Sequence, residues 1–560
     1  MTKTAPQASP FMTGSRSRAS KKKQKAAQVS NSSAIMPCMS SPSFIFEMPI
    51  RDSDDVVRFL EPKFDFGLAV YNATLGTALG RLERMRASAE WREATAMEKG
   101  KERNRRFNQI RQFWGLTEYG LHEVANAHRN GAKRFVRKNE PGAGRTKDEC
   151  LLGVHVAQKL GTRVWGAFER FMFGKGGRPR YKSRRRGLHS LEGKSASSNI
   201  IWHPKEQAFS WNKRRIPVVI PRTAYATDAL SDPSNPSKPR KVKYCRVVRR
   251  MIRGRMRYFL QLVLEGLAPV RFVPAPREAC VGIDPGPSKI AFVSEYGAAL
   301  LRASPRSTDH AIEKKRLLRM MDRSRRSTNA DKYDADGVAK NGARQWKYSK
   351  RYEKLRERLS EIFRLERETR RTDHGLIANT IIELGGTVKC EKNSYVAFQK
   401  NFGKSVGRNG TASLIQRVRS KAESAGGAEF VELNAWQCRL SQYDHVTGTM
   451  AKKPLSQRWT RVGGTVVQRD AYSAFLAMCV VNNEHDPGLL REKWPSVETF
   501  LRRAGLARDF NQSTDFDLSK STKEPEFAAA FSSEMMHARI IRVFSDSRSA
   551  TAARRPRRKN

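Results

Sequence analysis

Apolar and polar positions follow two different rhythms in the first half of the chain. Residues 43–50 (SFIFEMPI) are typical of one strand. Residues 56–87 repeat apolar side chains at intervals of three and four and predict a helix, and helical patterns continue through 100–173 with a break near 139–149. Residues 198–272 contain the strand-like runs IPVVIP, KVKYCRVVRR and RMRYFLQLVLEG, which predict a small β-barrel or sandwich.

The second half mixes short strands with long helices. Residues 281–297 (VGIDPGPSKIAFVSEYG) hold two apolar runs around a Pro-Gly-Pro turn and predict a hairpin. The charged amphipathic segments AIEKKRLLRMMDRSRR and 346–384 then predict a helical hairpin with a turn-rich linker. GGTVKCEKNSYVAF predicts a further strand, and QRDAYSAFLAMC predicts a helix that opens at Asp470.

The charge of the chain indicates what kind of partner it binds. The 560 residues include 107 Lys and Arg against 55 Asp and Glu, a formal net charge of +52. This excess favours a polyanion, above all nucleic acid, because Lys and Arg contacts to phosphate release counterions. An anionic membrane surface is the alternative, although no run of about 18 apolar residues is present to span a bilayer. Seven scattered cysteines without a CxxC pair indicate a reducing compartment.

The segment 174–187 (GKGGRPRYKSRRRG) concentrates positive charge among glycines. Such a loop is costly to fold against itself unless phosphates neutralise it. A merely solvated loop is the other interpretation. The candidate nucleic-acid-binding residues are Arg178, Arg180, Lys182, Arg184, Arg185 and Arg186.

Three carboxylates stand at the ends of predicted elements. Asp284 follows Val281 and Ile283 in a period-two pattern, Glu391 ends a similar alternation, and Asp470 opens a helix. Taken singly, they also suit a turn cap, a partner for a neighbouring Lys and a helix cap. Brought together, like charges are costly unless cations bind, and oxygen ligands favour two Mg²⁺ or Mn²⁺ ions suited to phosphodiester hydrolysis.

These motifs resemble the RuvC-nuclease superfamily of TnpB proteins and the related type V CRISPR effectors. GIDPGPSKIAFV is similar to the first RuvC motif, VKCEKNSYVAF stands at the place of the second, and QRDAYSAFLA resembles the third. The likeness runs in order through about residues 43–485. It implies Asp284, Glu391 and Asp470 as catalytic residues and metal ligands.

The resemblance implies a multidomain α+β protein: an RNase H-like (RuvC) nuclease domain with helical inserts, a β-barrel wedge domain and a helical recognition lobe. The expected organisation is a disordered basic tail (1–42), the first wedge strand (43–52), the recognition lobe (53–175), the rest of the wedge barrel (176–277), the RuvC domain (278–433) with a helical hairpin insert at about 308–375, a target-nucleic-acid-binding insert (434–466), the RuvC C-terminal part (467–505) and a basic, largely disordered tail (506–560).

The chain departs from the TnpB pattern where a four-cysteine zinc knuckle is usual. Only Cys438 and His445 stand there, and two ligands cannot complete a tetrahedral zinc site. No zinc is therefore expected. The insert is expected to form a hairpin with Trp459 in place of the metal, and Tyr472 replaces an Asn that is frequent in the third motif.

The resemblance implies a metal-dependent, RNA-guided DNA endonuclease of the prokaryotic cytoplasm. Its partners would be double-stranded target DNA and a guide RNA, from a CRISPR array or a transposon end. Three alternatives stay open: a guided DNA binder that does not cut, a guide-independent junction nuclease of the same core fold, and a structural RNA-binding protein.

Overall fold

A computed structural model describes residues 41–51, 53–139, 152–184, 186–269, 278–308, 310–340, 342, 345–424, 428–512, 518, 525 and 527–532. The chain divides into two units, 1–41 and 42–560, and every element below belongs to the second. The predicted N-terminal tail, Arg185 and most of the predicted C-terminal tail lie outside the described residues.

The first half of the chain joins helices to antiparallel strands. Its first helix begins where the Ser53 hydroxyl accepts a hydrogen bond from the Val56 N–H. The elements are β1 (Ser43–Pro49), α1 (Asp54–Ala87), α2 (Ala89–Ala96), α3 (Lys101–Phe113), α4 (Glu118–Asn139), α5 (Val154–Met172), β2 (Ser190–Glu192), β3 (Ile200–His203), β4 (Ala208–Trp211), β5 (Arg214–Pro217), α6 (Ala224–Leu230), β6 (Ser231–Asp232), β7 (Asn235–Pro239), β8 (Val242–Ile252) and β9 (Arg255–Glu265).

These strands form a four-stranded sheet in the order β1-β9-β8-β2 and a three-stranded sheet β3-β4-β5. One antiparallel bridge, between Ile50 and Val218, joins the two. The predicted strand at 43–50 and helix at 56–87 are confirmed. Residues 198–272 hold the helix α6 as well as strands, and closure of the sheets into a barrel stays a prediction.

The second half begins with a three-stranded meander. Its elements are β10 (Cys280–Pro285), β11 (Lys289–Ser294), β12 (Gly297–Arg302), α7 (Ala311–Thr328), α8 (Lys350–Glu383), β13 (Thr387–Glu391), α9 (Tyr395–Asn409), α10 (Thr411–Ser424), β14 (Glu429–Leu433), α11 (Ala435–Cys438), β15 (Trp459–Val462), β16 (Thr465–Gln468), α12 (Arg469–Cys479), β17 (Val480–Val481), β18 (Glu484–His485), α13 (Pro487–Arg503), β19 (Ala507–Asp509) and β20 (Phe527–Phe531).

A mixed six-stranded sheet organises this half, with the order β14-β13-β10-β11-β12-β20. β10, β13 and β14 are parallel, whereas β10, β11, β12 and β20 are antiparallel neighbours. Val281 and Ile283 face a core formed with α8 and α10. Ala291 and Val293 face the opposite core, formed with α12 and α13. The protein is thus a mixed α+β chain whose central sheet is covered on both faces.

Two predictions need correction. The strand predicted over GGTVKCEKNSYVAF ends at Glu391, because Tyr395 already opens α9 after the Ser394 cap. The range 506–560, expected to be a largely disordered tail, supplies β19, which pairs with β16, and β20, which pairs with β12. The five apolar residues of β20, FAAAF, cover the edge of the central sheet, which outweighs the surrounding charge. None of the described helices is long and apolar enough to cross a bilayer.

Candidate active site

Two of the three acids meet at one edge of the central sheet. β10 and β13 run parallel, with Ile283 directly opposite Cys390. Asp284 and Glu391 each follow this pair by one residue, so both leave the sheet at the carboxyl ends of neighbouring strands. The apolar residues of both strands face the core on the α8 side, which turns both carboxylates toward α12.

The third acid, Asp470, is positioned by very close packing of α12 on β10. A Cβ atom on Gly282 would lie 1.8 Å from the Ala474 carbonyl oxygen and 2.5 Å from the Met478 nitrogen. Only glycine therefore lets α12 pack on β10 at this distance. Asp284 shares the strand face of Gly282, and Asp470 lies one helical turn before Ala474, so the contact brings the two acids together.

Both ends of α12 are fixed by buried polar groups. The Gln468 side chain, fully buried, accepts a hydrogen bond of 2.7 Å from the Ala471 N–H at the helix start. At the other end, Lys389 Nζ donates to the carbonyl oxygens of Met478 and Val480 at 3.1 and 2.7 Å. Lys389 lies two residues before Glu391, so β13 itself holds the helix that carries Asp470.

The acids repel one another electrostatically. Burial raises the pKa of the Asp284 carboxyl well above its usual value, and the charges of Asp470 and Glu391 raise it further. Arg469 opposes this shift; its Nη2 lies 3.5 Å from Asp470 Oδ1. Burial also raises the pKa of Glu391, against a hydrogen bond from the Leu440 backbone. The folded chain therefore places excess negative charge where few protein cations balance it.

The donor chemistry suits magnesium or manganese, since all three candidate ligands are carboxylates. In the part of the chain that the structure describes, however, no three His, Cys, Asp or Glu side chains stand close enough together to form a complete metal site. The three acids converge on one edge of the sheet without closing around a common point.

A loop over residues 434–450, here called the insert loop, contacts the site from two directions. Its Leu440 N–H binds Glu391, and its His445 binds Tyr472 on α12. The Tyr472 hydroxyl accepts from the His445 backbone N–H at 3.1 Å and shares a hydrogen bond of 2.8 Å with Nδ1 of the same residue. The insert loop therefore connects the strand that bears Glu391 to the helix that bears Asp470.

The expected zinc ligands have other contacts. The Cys438 thiol donates to the Asn483 carbonyl oxygen at 3.4 Å, and His445 is occupied by Tyr472. The predicted hairpin is confirmed as β15 and β16, with the Arg508 guanidinium over the Trp459 ring. Absence of zinc stays a prediction.

The segment 174–187, here called the basic loop, lies along α1. The Lys182 backbone exchanges two hydrogen bonds of 2.9 Å with the Asn72 side chain, and Arg178 pairs with Glu83 at 2.8 Å. The side chains of Arg178, Arg180, Lys182, Arg184 and Arg186 are exposed. The loop is thus anchored by its backbone and presents its charges outward, which suits contact with phosphate.

Sequence reasoning missed the residues that position the acids. Gly282, Lys389 and Gln468 carry no local signal of their tertiary contacts. Tyr472 stood out only as a departure from a motif. A small residue two positions before a strand-end acid, on the same face, is the one pattern that could have indicated close helix packing.

Comparisons with known proteins give structural matches only. No protein-family model matches the chain, and no curated protein matches it. A Cas12f1–sgRNA–target DNA complex matches with 12% identity and a TM-score of 0.37, covering 78% of this chain and 98% of that one. A CRISPR–Cas12f ternary complex matches with 13% identity, a TM-score of 0.21 and coverage of 79% and 100%.

A Cas12i–crRNA–dsDNA complex matches with 10% identity and a TM-score of 0.23, covering 85% of this chain and 72% of that one.

We expect Gly282→Ala to lower the free energy of unfolding by about 3 kcal/mol, because its methyl group must displace the backbone of α12. Calorimetry of the full-length protein measures this. Gly464→Ala is the matched control, since a Cβ there meets no atom within 4 Å. Equal melting temperatures for the two variants would contradict the close-packing interpretation.

We expect Asp284→Asn to stabilise the metal-free protein at neutral pH. The raised pKa means that the folded state binds the proton more tightly, so stability falls as pH rises above the unfolded value of about 3.9. Melting curves in EDTA should show the largest gain at pH 7.5 and a smaller one at pH 5. Asp336→Asn, at an exposed position, serves as control; a gain independent of pH would refute the charge explanation.

We expect Tyr472→Phe to lower the free energy of unfolding by about 1–3 kcal/mol, because it leaves two polar atoms of the buried His445 without their partner. Thermal unfolding tests this against Tyr119→Phe, in which the altered ring is exposed. Unchanged stability in Tyr472→Phe would show that the insert loop is held by other contacts.

The structural matches to the Cas12f and Cas12i complexes cover 78 to 85% of this chain.

Proposed function

We propose that this chain is an RNA-guided DNA endonuclease that cuts at one RuvC-type centre, with Asp284, Glu391 and Asp470 as its acids. The convergence of the three acids carries the proposal: both other acids raise the pKa of the Asp284 carboxyl. Like charges gathered at the end of a sheet are unfavourable unless their task is to bind cations. The six-stranded sheet is then the core of an RNase H-like domain.

Asp284, Glu391 and Asp470 would hold two Mg²⁺ or Mn²⁺ ions. When bound, such ions supply the Lewis acidity that activates water and stabilises the leaving oxygen of a phosphodiester. The chain's own residues position these acids: Gly282 and Lys389 hold α12 against β10, and the insert loop binds Glu391. Arg469, whose Nη2 lies 3.5 Å from Asp470 Oδ1, would add a positive charge beside these acids.

The partners in this proposal are a guide RNA, paired with one strand of double-stranded target DNA, and a short flanking DNA motif. The net charge of +52 and the outward-facing arginines of the basic loop support a large polyanion. We assign recognition helices to residues 53–175, the wedge to 43–52 and 176–277, nuclease parts to 278–433 and 467–505, and a target-binding insert to 434–466. The protein would act in the prokaryotic cytoplasm.

A guided DNA binder with little or no cleavage is the second candidate. The observation that favours it is the absence, among the described residues, of a complete three-ligand metal site. Both candidates bind RNA and target DNA, so only cleavage by the assembled complex separates them.

The experiment that tests guidance is expression with the native flanking locus, followed by sequencing of the RNA that copurifies. One defined RNA, with a constant scaffold and a distinct guide end, supports the proposal and identifies the source of the guide. Random fragments or no RNA would favour a guide-independent nuclease.

We expect Asp284→Asn, Glu391→Gln and Asp470→Asn each to lower cleavage of a matched DNA duplex by at least about 10³-fold, since each removes a metal ligand. Binding of the same duplex in EDTA should change less than about threefold, a loss of under 0.7 kcal/mol. Gel assays of cleavage and binding, done on one RNA-loaded preparation, measure both.

Asp336→Asn makes the same carboxyl-to-amide change at an exposed position and should leave cleavage unaltered. Retained cutting by all three acid variants would refute the assignment of the centre. Absence of cutting by the parent protein, with specific binding intact, would establish the second candidate.

A further inference from the structure

A cavity of about 400 Å³ lies between the turn that joins β8 to β9 and the middle of α8. It is distinct from the three acids and from the basic loop. Four arginines and one aliphatic side chain line it: Ile252, Arg253, Arg255, Arg257 and Arg364. Such a concentration of guanidinium groups around one cavity is costly unless an anion enters it.

The turn that presents these arginines has an unusual backbone. Ile252 pairs with Arg255, so Arg253 and Gly254 form a two-residue hairpin loop, with φ of +51° and +75°. Glycine adopts this left-handed conformation freely, whereas arginine rarely does. The Arg253 N–H donates to Glu361 Oε2 of α8 at 3.2 Å, so contact with α8 helps to hold the turn.

The strand pattern sorts arginines to one face. Tyr258 and Leu260 are buried beneath the sheet, while Arg255 and Arg257 stand on its outer face. α8 lies over this face, where Arg364 reaches the cavity. The sequence RGRMR at 253–257 therefore places three arginines at the cavity by the geometry of the hairpin alone.

Glu361 fixes one wall of the cavity without cancelling its charge. Arg364 donates to both Glu361 oxygens, at 2.7 and 2.9 Å, and this pairing keeps the pKa of Glu361 below its ordinary value. Its oxygens are thus occupied by the wall itself. The charge of Arg253 also lowers the pKa of Glu361, so this one carboxylate faces two of the four arginines that line the cavity. The cavity therefore keeps a surplus of positive charge.

We propose that this cavity binds a backbone phosphate of nucleic acid, with Arg253 and Arg255 as its donors and Arg364 as a pre-positioned wall. Guanidinium forks match phosphate oxygens in geometry and remain charged at every physiological pH. The lining has no aromatic ring to stack on a base, so the contact reads the backbone and sets its position. The identity of the polymer as guide RNA or target DNA rests on the proposed function.

The cavity joins two parts of the chain that are far apart in sequence. A phosphate held there contacts the β8–β9 hairpin on one side and α8, which continues beneath the central sheet, on the other. Binding would therefore strengthen the contact between the strands of the first half and the nuclease half.

The test compares the full-length Arg253→Gln/Arg255→Gln variant with the parent, both in EDTA, for binding to a single-stranded RNA at several salt concentrations. We expect affinity to fall about tenfold and the salt slope to fall by about 0.7, as for the loss of one phosphate contact. Arg253→Lys/Arg255→Lys should keep most of the slope but bind more weakly, because lysine cannot form the bidentate pair.

Arg319→Gln/Arg351→Gln is the matched control, since it removes two exposed charges outside the cavity, one on α7 and one on α8. An equal loss of affinity in this control would overturn the proposal.

A second arm uses RNA-loaded protein and target duplex. Weakened RNA binding assigns the phosphate to the guide, and weakened duplex binding alone assigns it to the target. If the cavity variant weakens neither, the proposal is overturned. Both arms measure binding and not cleavage. A failure of the proposed nuclease activity would therefore not change the outcome of this test.

Discussion

The close approach of α12 to β10 is the contact on which the candidate site depends. A strand and a helix pack at this distance only because Gly282 has no side chain. Three further contacts hold α12 in this place: the cap from Gln468, the anchor from Lys389 and the hydrogen bond of Tyr472. A residue without chemistry of its own thus determines where the chemistry can occur.

Charge is distributed in opposite ways inside and outside this protein. The surface carries a large positive excess, while the edge of the central sheet holds three acids with little compensation. A polyanion attracted by the surface would be repelled by the acids unless divalent cations stood between them. The same arrangement therefore favours divalent cations at the site, and it favours phosphate there only when those cations are bound.

Local patterns predicted much of the fold. Alternation at 281–284 and 387–391 identified two strands and the face on which Asp284 and Glu391 lie, because period two depends on neighbours alone. The start of α12 was also predicted, because helical spacing of apolar residues likewise depends on neighbours alone. Pairing of β20 with β12 was not, since residues 527–531 reach residues 297–301 only through tertiary contact. The roles of Lys389 and Arg253 likewise depend on partners distant in sequence.

The position of β20 has a consequence for how the protein is made. The first half of the chain contains all strands of its own sheets by residue 265, whereas the central sheet waits for residues 527–531 at its edge. During synthesis, the first half of the chain emerges and folds first. While the first half folds, the central sheet is still one strand short, so translation itself delays completion of that sheet until the first half has formed.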